Sequence, residues 1–329
     1  MPSPFRLTVS RAVTRYHRGT DLRPTFSAGN WIHRGARLLT ILLAGWIAAS
    51  CTRSAIPYPG AVLPSTLTAA ALVTRIPPPP FTGLLAAASL HAVFDVPEGE
   101  RLSVRQVAGV EGSAAGTIAY DRRGLLLTGQ QTSLGSSLWV EVVRPEGGTG
   151  WVNALNLVED VPSESFCADP RVLQLLDAAA RAVDREDGEL LGSLVSPRRH
   201  LRIRYDWRSY DVLVSRTEIP DLFGESQERT WGVNASGATI RGSFGQVIMP
   251  LLRGTLTPAS VLTCDSIGAG PTLREVRWPS EFTNLHYYSF YRPAESGGGE
   301  YSWTTWLVGV EYVEGQPYLA AFVLLRAGI

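Results

Sequence analysis

Two side chains in this 329-residue chain suit nucleophilic catalysis as a pair: a thiol at Cys264 and an imidazole base at His286. His286 lies close to Tyr288 and Tyr291, on a segment whose alternate side chains point one way if it is a strand. With Tyr205, Asp206, Trp207 and Trp231 these residues are enough to furnish a small-molecule pocket. Each also has a plainer use. A histidine amid tyrosines commonly serves as a hydrogen-bonded structural residue, and Asp206 with Asp211 can cap or flank a polar turn. Arg198, Arg199, Arg202 and Arg204 surround His200. They suit an anionic polymer, or they are the outward half of an edge strand.

Several chemistries are excluded. All 30 basic residues are arginine, and without lysine the chain cannot build a P-loop, a pyridoxal Schiff base or a Ser-x-x-Lys nucleophile. Beyond residue 50 the histidines are His91, His200 and His286, with no pair at helical spacing and no EF-hand loop nearby. No metal or cofactor site is therefore predicted. Hydrophobic residues make up 45% of the chain, ample for packed cores.

The elements that must position these groups are legible over residues 163–329. Asp169 caps a predicted helix starting at Pro170, with Val172, Leu173, Leu176, Ala180 and Val183 on one face. Asp187-Gly188 breaks it, and a shorter helix carrying Leu190, Leu191, Leu194 and Val195 stops at Pro197. Ser243 caps another helix, which Pro250 should bend. Strands are predicted at 201–205, 212–215, 274–278, 285–291, 303–313 and 318–326, the last two joined by the three-residue turn Glu314-Gly315-Gln316. Helices first and strands after predict an α+β domain, helices packed on a curved antiparallel sheet.

The start of the chain reads as an export signal. Seven arginines against one aspartate precede the apolar run Leu38 to Ala49, which is too short for a span of about 20 residues. The run ends in Ala48-Ala49-Ser50-Cys51. This resembles the lipobox of bacterial lipoprotein signal peptides, with alanine where that family usually has leucine. The resemblance implies cleavage before Cys51, a lipid on its sulfur, and an extracytoplasmic protein anchored to the cell membrane. Residues 1–50 are then a signal peptide, and the Pro/Ala-rich residues 51–88 a tether. Downstream remain 23 basic and 29 acidic residues, a balance that disfavours nucleic acid as a partner. With Cys51 given to lipid, Cys167 and Cys264 are an even pair, and a disulfide is the simplest use of both in an oxidising space. The setting Thr263-Cys264-Asp265-Ser266 also differs from the Asp-Cys-Ser or Asp-Cys-Gly context of cell-wall cysteine peptidases.

Residues 89–160 read as all-β, short Val/Ile/Leu runs punctuated by glycine turns. Leu102-Ser103-Val104-Arg105-Gln106-Val107-Ala108-Gly109 is similar to the opening motif of bacterial SH3-like domains. Trp139-Val140-Glu141-Val142 and Gly147-Gly148-Thr149-Gly150-Trp151-Val152 are similar to the closing one. The Gly-Pro-Gly turn of that family is replaced by Val107-Ala108-Gly109. The resemblance implies a small all-β SH3-like barrel that recognises cell-wall peptide, glycan or a protein partner. Trp139 and Trp151 either fill that barrel or meet the ligand.

Residues 163–329 resemble an uncharacterised envelope-associated α+β domain, through Trp231-Gly232, Gly237, Ile240, Gly242-Ser243-Phe244, Trp303 to Val308 and Gly315 to Leu319. In element order they are similar to the nuclear transport factor 2-like fold. The sequence thus predicts a multidomain, lipid-anchored envelope binding protein whose partners are the membrane and peptidoglycan or an envelope protein. The alternatives are an envelope hydrolase using Cys264 and His286, or a small-molecule sensor with a pocket in the C-terminal domain.

Overall fold

The structure is a computed structural model that describes residues 89–327, apart from 235, 271–274 and 295–298. The signal peptide, Cys51 and the tether to residue 88 lie outside the described residues. The predominant structure is β-sheet, with few helices.

The first strands are β1 (His91–Val93), β2 (Arg101–Arg105), β3 (Ala114–Ala119), β4 (Leu127–Leu134), β5 (Ser137–Val143), β6 (Thr149–Asn153) and β7 (Leu157–Glu159). Five of them pair as an antiparallel sheet in the order β3-β2-β6-β5-β4, and β1 pairs with β7 as a separate ribbon. The five-stranded sheet is open, with β3 and β4 at its edges, so its pairing does not close a barrel. Alternation divides its faces. Leu102, Val104, Val140, Val142 and Val152 point to one side and form a buried core with Ile118 and Leu125. Gly150 is required there, because a Cβ would meet the Val104 side chain at 2.4 Å.

Helices follow: α1 (Ser163–Ala168), α2 (Pro170–Arg185) and α3 (Gly188–Leu194). Asp169 caps α2 by accepting from the Arg171 amide, with Pro170 in the first turn. The buried face of α2 is Val172, Leu175, Leu176, Ala179, Ala182 and Val183. Leu173, expected on it, is 45% exposed, because the buried stripe is set one position round from the expected one.

Next come β8 (Leu201–Arg204), β9 (Val212–Val214), α4 (Ile219–Leu222) and the hairpin β10 (Arg229–Val233) with β11 (Thr239–Gly242). The helix expected after Ser243 is split in two, α5 (Phe244–Val247) and α6 (Met249–Thr255), with Pro250 at the start of the second. A proline there lacks the amide that would continue the first helix. The chain ends with β12 (Val261–Cys264), β13 (His286–Arg292), β14 (Thr304–Val313) and β15 (Gln316–Arg326).

These last strands and β8–β9 form one sheet in the order β12-β13-β14-β15-β8-β9. It is antiparallel except between β15 and β8, which run parallel, so the wholly antiparallel expectation is corrected. The strand expected at 274–278 is also absent where described. Residues 275–278 are irregular, and Trp278 instead donates its indole N–H to the carbonyls of Phe282 and Leu285. The β14–β15 turn has two residues, Glu314 and Gly315, at φ 53° and 71°, not three. Positive φ at both central positions is the geometry that matches strand twist, and glycine adopts it without strain.

The main core lies between the helices and one face of the six-stranded sheet, around Phe166, Trp231, Phe244, Trp306 and Phe322. A further core joins the two halves of the chain: Ala92, Phe94 and Val158 pack with Phe282, Leu285, Trp303 and Leu307. The described residues accordingly belong to one compact unit. Among the described residues no helix is long and apolar enough to cross a membrane.

Candidate functional site

Cys264 ends β12 and Cys167 lies in the last turn of α1, and the two meet as a disulfide with a Cα–Cα distance of 5.8 Å. A bridged sulfur is no nucleophile, so Cys264 has no thiolate to offer His286 in this state. The two cysteines and Asp265 lie close enough to resemble a metal cluster, but the sulfurs are already spent on each other.

His286, at the start of β13, is held on both sides. Its Nδ1 lies 2.6 Å from an Asp265 carboxylate oxygen and its Nε2 lies 2.6 Å from the carbonyl of Val161. Both neighbours are acceptors, so each ring nitrogen is already turned toward a fixed protein partner and away from any third group. Ser163 donates to the same Asp265 at 2.5 Å, so the serine reaches the carboxylate and not the imidazole. A serine–histidine–aspartate triad has the opposite wiring. Burial opposes ionisation of Asp265, but hydrogen bonds from His286, Ser163 and the Tyr287 amide outweigh it and hold the carboxyl below its usual range. Phe166 stacks on the His286 ring at 4.8 Å, completing a clasp between α1, β12 and β13.

The other aromatic candidates do not converge on a pocket. Trp231 is fully buried and donates to the Gly242 carbonyl at 2.9 Å. Tyr205 is buried beneath Arg326, and Tyr288 donates to the Cys167 carbonyl at 3.1 Å. Trp207 packs beside Arg208, whose guanidinium pairs with Asp206. The space expected to hold a ligand between sheet and helices is occupied by the main core around Trp231 and Trp306.

The arginine cluster is a brace between the halves. β8 is interior to its sheet, flanked by β15 and β9, so the edge-strand expectation is corrected. Arg199 pairs with Glu311 at 2.9 Å, both nearly fully buried, and donates to the carbonyls of Leu155 and Leu157. Arg202 bridges Asp95 and Asp211, while Arg204 bridges Asp211 and Glu281. Arg198, Arg199 and Arg202 line a cleft of about 470 Å³ with Leu138 and Leu213, but in Arg199 and Arg202 the charge is already matched.

A second cavity, of about 300 Å³, lies against the five-stranded sheet. Its wall includes Arg101, Ser103, Arg105, Val110, Trp139 and Asn153. These strand residues share the face turned away from the core. Arg101, Ser103 and Arg105 alternate with the inward Leu102 and Val104 on β2. Trp139 pairs across β5–β6 with Asn153, and Glu141 pairs with Trp151, while Val140 and Val152 between them face inward. Trp151 in turn pairs with Arg105. Trp139 is only 6% exposed and borders the groove, on the face opposite the core formed by Val140 and Val152. Both tryptophans therefore stand on the face turned away from the core. Strand alternation around Val140 and Val152 carried that signal in the sequence.

Comparison with protein-family models, curated proteins and solved structures finds no match to this chain.

Proposed function

We propose that this chain is an exported, lipid-anchored envelope protein that binds rather than transforms its ligand. Its N-terminal sheet acts as an SH3-like module recognising cell-wall peptide or glycan. One observation carries the reading. The residues of the opening and closing motifs, distant in sequence, meet on the side of the sheet turned away from its core, where Arg105, Trp139 and Asn153 border a groove and Trp151 pairs beside Arg105. Aromatic and guanidinium faces in alternation suit sugar rings and peptide planes alike. The leader ending at Cys51 supports the compartment, and the tether to residue 88 gives the module reach from a membrane surface. Hydrolysis through Cys264 and His286 finds no support in a bridged sulfur and an imidazole bonded at both nitrogens.

Pelleting of residues 52–329 with isolated cell-wall sacculi tests the reading. Enrichment is expected, and Val110→Asp should reduce it. Val110 is 68% exposed, so the change alters the groove without touching a core. Equal pelleting of the two proteins, or none, contradicts the proposal.

A further inference from the structure

The outward face of β2 carries two positive charges that the fold leaves unmatched. Arg101 donates to the Thr117 side chain at 2.6 Å, and Arg105 donates to the Gly112 carbonyl at 3.1 Å, which pins the 106–112 turn. Both contacts are to neutral groups. Among the described residues neither arginine has a carboxylate within 4.0 Å, whereas Arg199 and Arg202 at the neighbouring cleft have one and two. Of the acidic residues in the groove wall, Asp95 is already paired with Arg202, leaving Glu100. The same wall presents apolar surface from Val110 and Trp139.

Spacing narrows the ligand. Arg101 and Arg105 lie four residues apart on one strand, so their attachment points are separated by about 13 Å. An extended peptide has the same rise, and its side chains at positions i and i+4 match that separation on one face. We propose that the groove binds an extended acidic peptide, with carboxylates four residues apart set against Arg101 and Arg105 and an intervening apolar side chain seated on Val110 and Trp139. This rests on the groove being the ligand site and adds the class of ligand.

The test uses residues 52–329 and two probes, acetyl-Glu-Ala-Val-Ala-Glu-amide and the same peptide with both glutamates replaced by glutamine, titrated calorimetrically at low and moderate salt. Two charge-assisted contacts in a half-exposed groove should make the acidic peptide bind about tenfold more tightly. That advantage should shrink with salt, as screening requires. Arg101→Glu, an exposed site, should remove most of the preference. Arg101→Glu with Arg105→Glu should turn it toward the corresponding lysine peptide, a reversal that loss of folding cannot produce. Equal binding of the acidic and neutral peptides, or a preference unchanged in Arg101→Glu, overturns the proposal. If sacculi still pellet the protein in that case, the groove remains a wall-binding site and only the acidic-peptide assignment fails.

Discussion

Lowering the pH should destabilise this protein through one buried imidazole, His91. The residue is fully buried on β1, with Nδ1 3.0 Å from the Ser89 carbonyl, and its Nε2 has no partner among the described residues. A proton arriving at Nε2 would place a charge where water cannot reach it. Burial first, and the charge of Arg198 second, bring its pKa down from 6.5 to about 4, while the Ser89 carbonyl and Asp160 pull more weakly the other way. In the unfolded chain the histidine takes its proton near its ordinary value. Between those limits the unfolded state binds more protons, so stability falls as pH falls. The full gap corresponds to about 3 kcal/mol, of which about 2.5 kcal/mol is lost between pH 7 and 4.5. Glu159, raised by burial despite hydrogen bonds from Gly315 and Glu314, titrates with the opposite sign and offsets part of this. The assay is urea unfolding of wild type and His91→Phe at both pH values. Subtracting the two pH dependences cancels Glu159 and every other group common to them. Wild type should lose about 2.5 kcal/mol more than the variant. Equal losses would refute the argument.

Two further perturbations test the joint between the halves and the clasp. Glu311→Ala should cost about 3–5 kcal/mol in urea unfolding, since it strands Arg199 without its carboxylate in the interior; a loss under about 1 kcal/mol would show that Arg199 is rescued by its carbonyl partners. Reducing the Cys167–Cys264 bond, whose cysteines are 97 residues apart, should lower stability by up to about 4–5 kcal/mol by freeing the unfolded chain. A midpoint unmoved by reductant would mean that the bridge contributes nothing to the fold.

What the sequence revealed, and what it hid, follows from range. Local chemistry was readable: Asp169-Pro170 started α2, Ser243 capped α5 with a reciprocal contact from Gln246, and Pro250 divided the helix that follows. The hidden features depend on contacts between distant segments. The parallel pairing of Ile203 with Phe322 leaves no trace in either segment, and without it Arg202 and Arg204 look like the outer half of an edge strand. Residues 275–278 look strand-like by composition, but the Trp278 indole finds its acceptors in the turn at 282–285. Asp265, which fixes His286, was set down in the sequence only as the neighbour of Cys264; nothing local reveals that its side chain serves the histidine. The groove was half legible. Its motifs and Trp139 stood out, but Arg101 matters only because no carboxylate answers it, and that is a property of the fold.

The most direct test of the whole account is the intact mass of the protein extracted from membranes of cells that make it. The account predicts a polypeptide beginning at a diacylated Cys51, two mass units lighter than its reduced form because Cys167 and Cys264 are joined. Recovery of the full 329-residue chain from the soluble fraction, unmodified and with free thiols at Cys167 and Cys264, would contradict it.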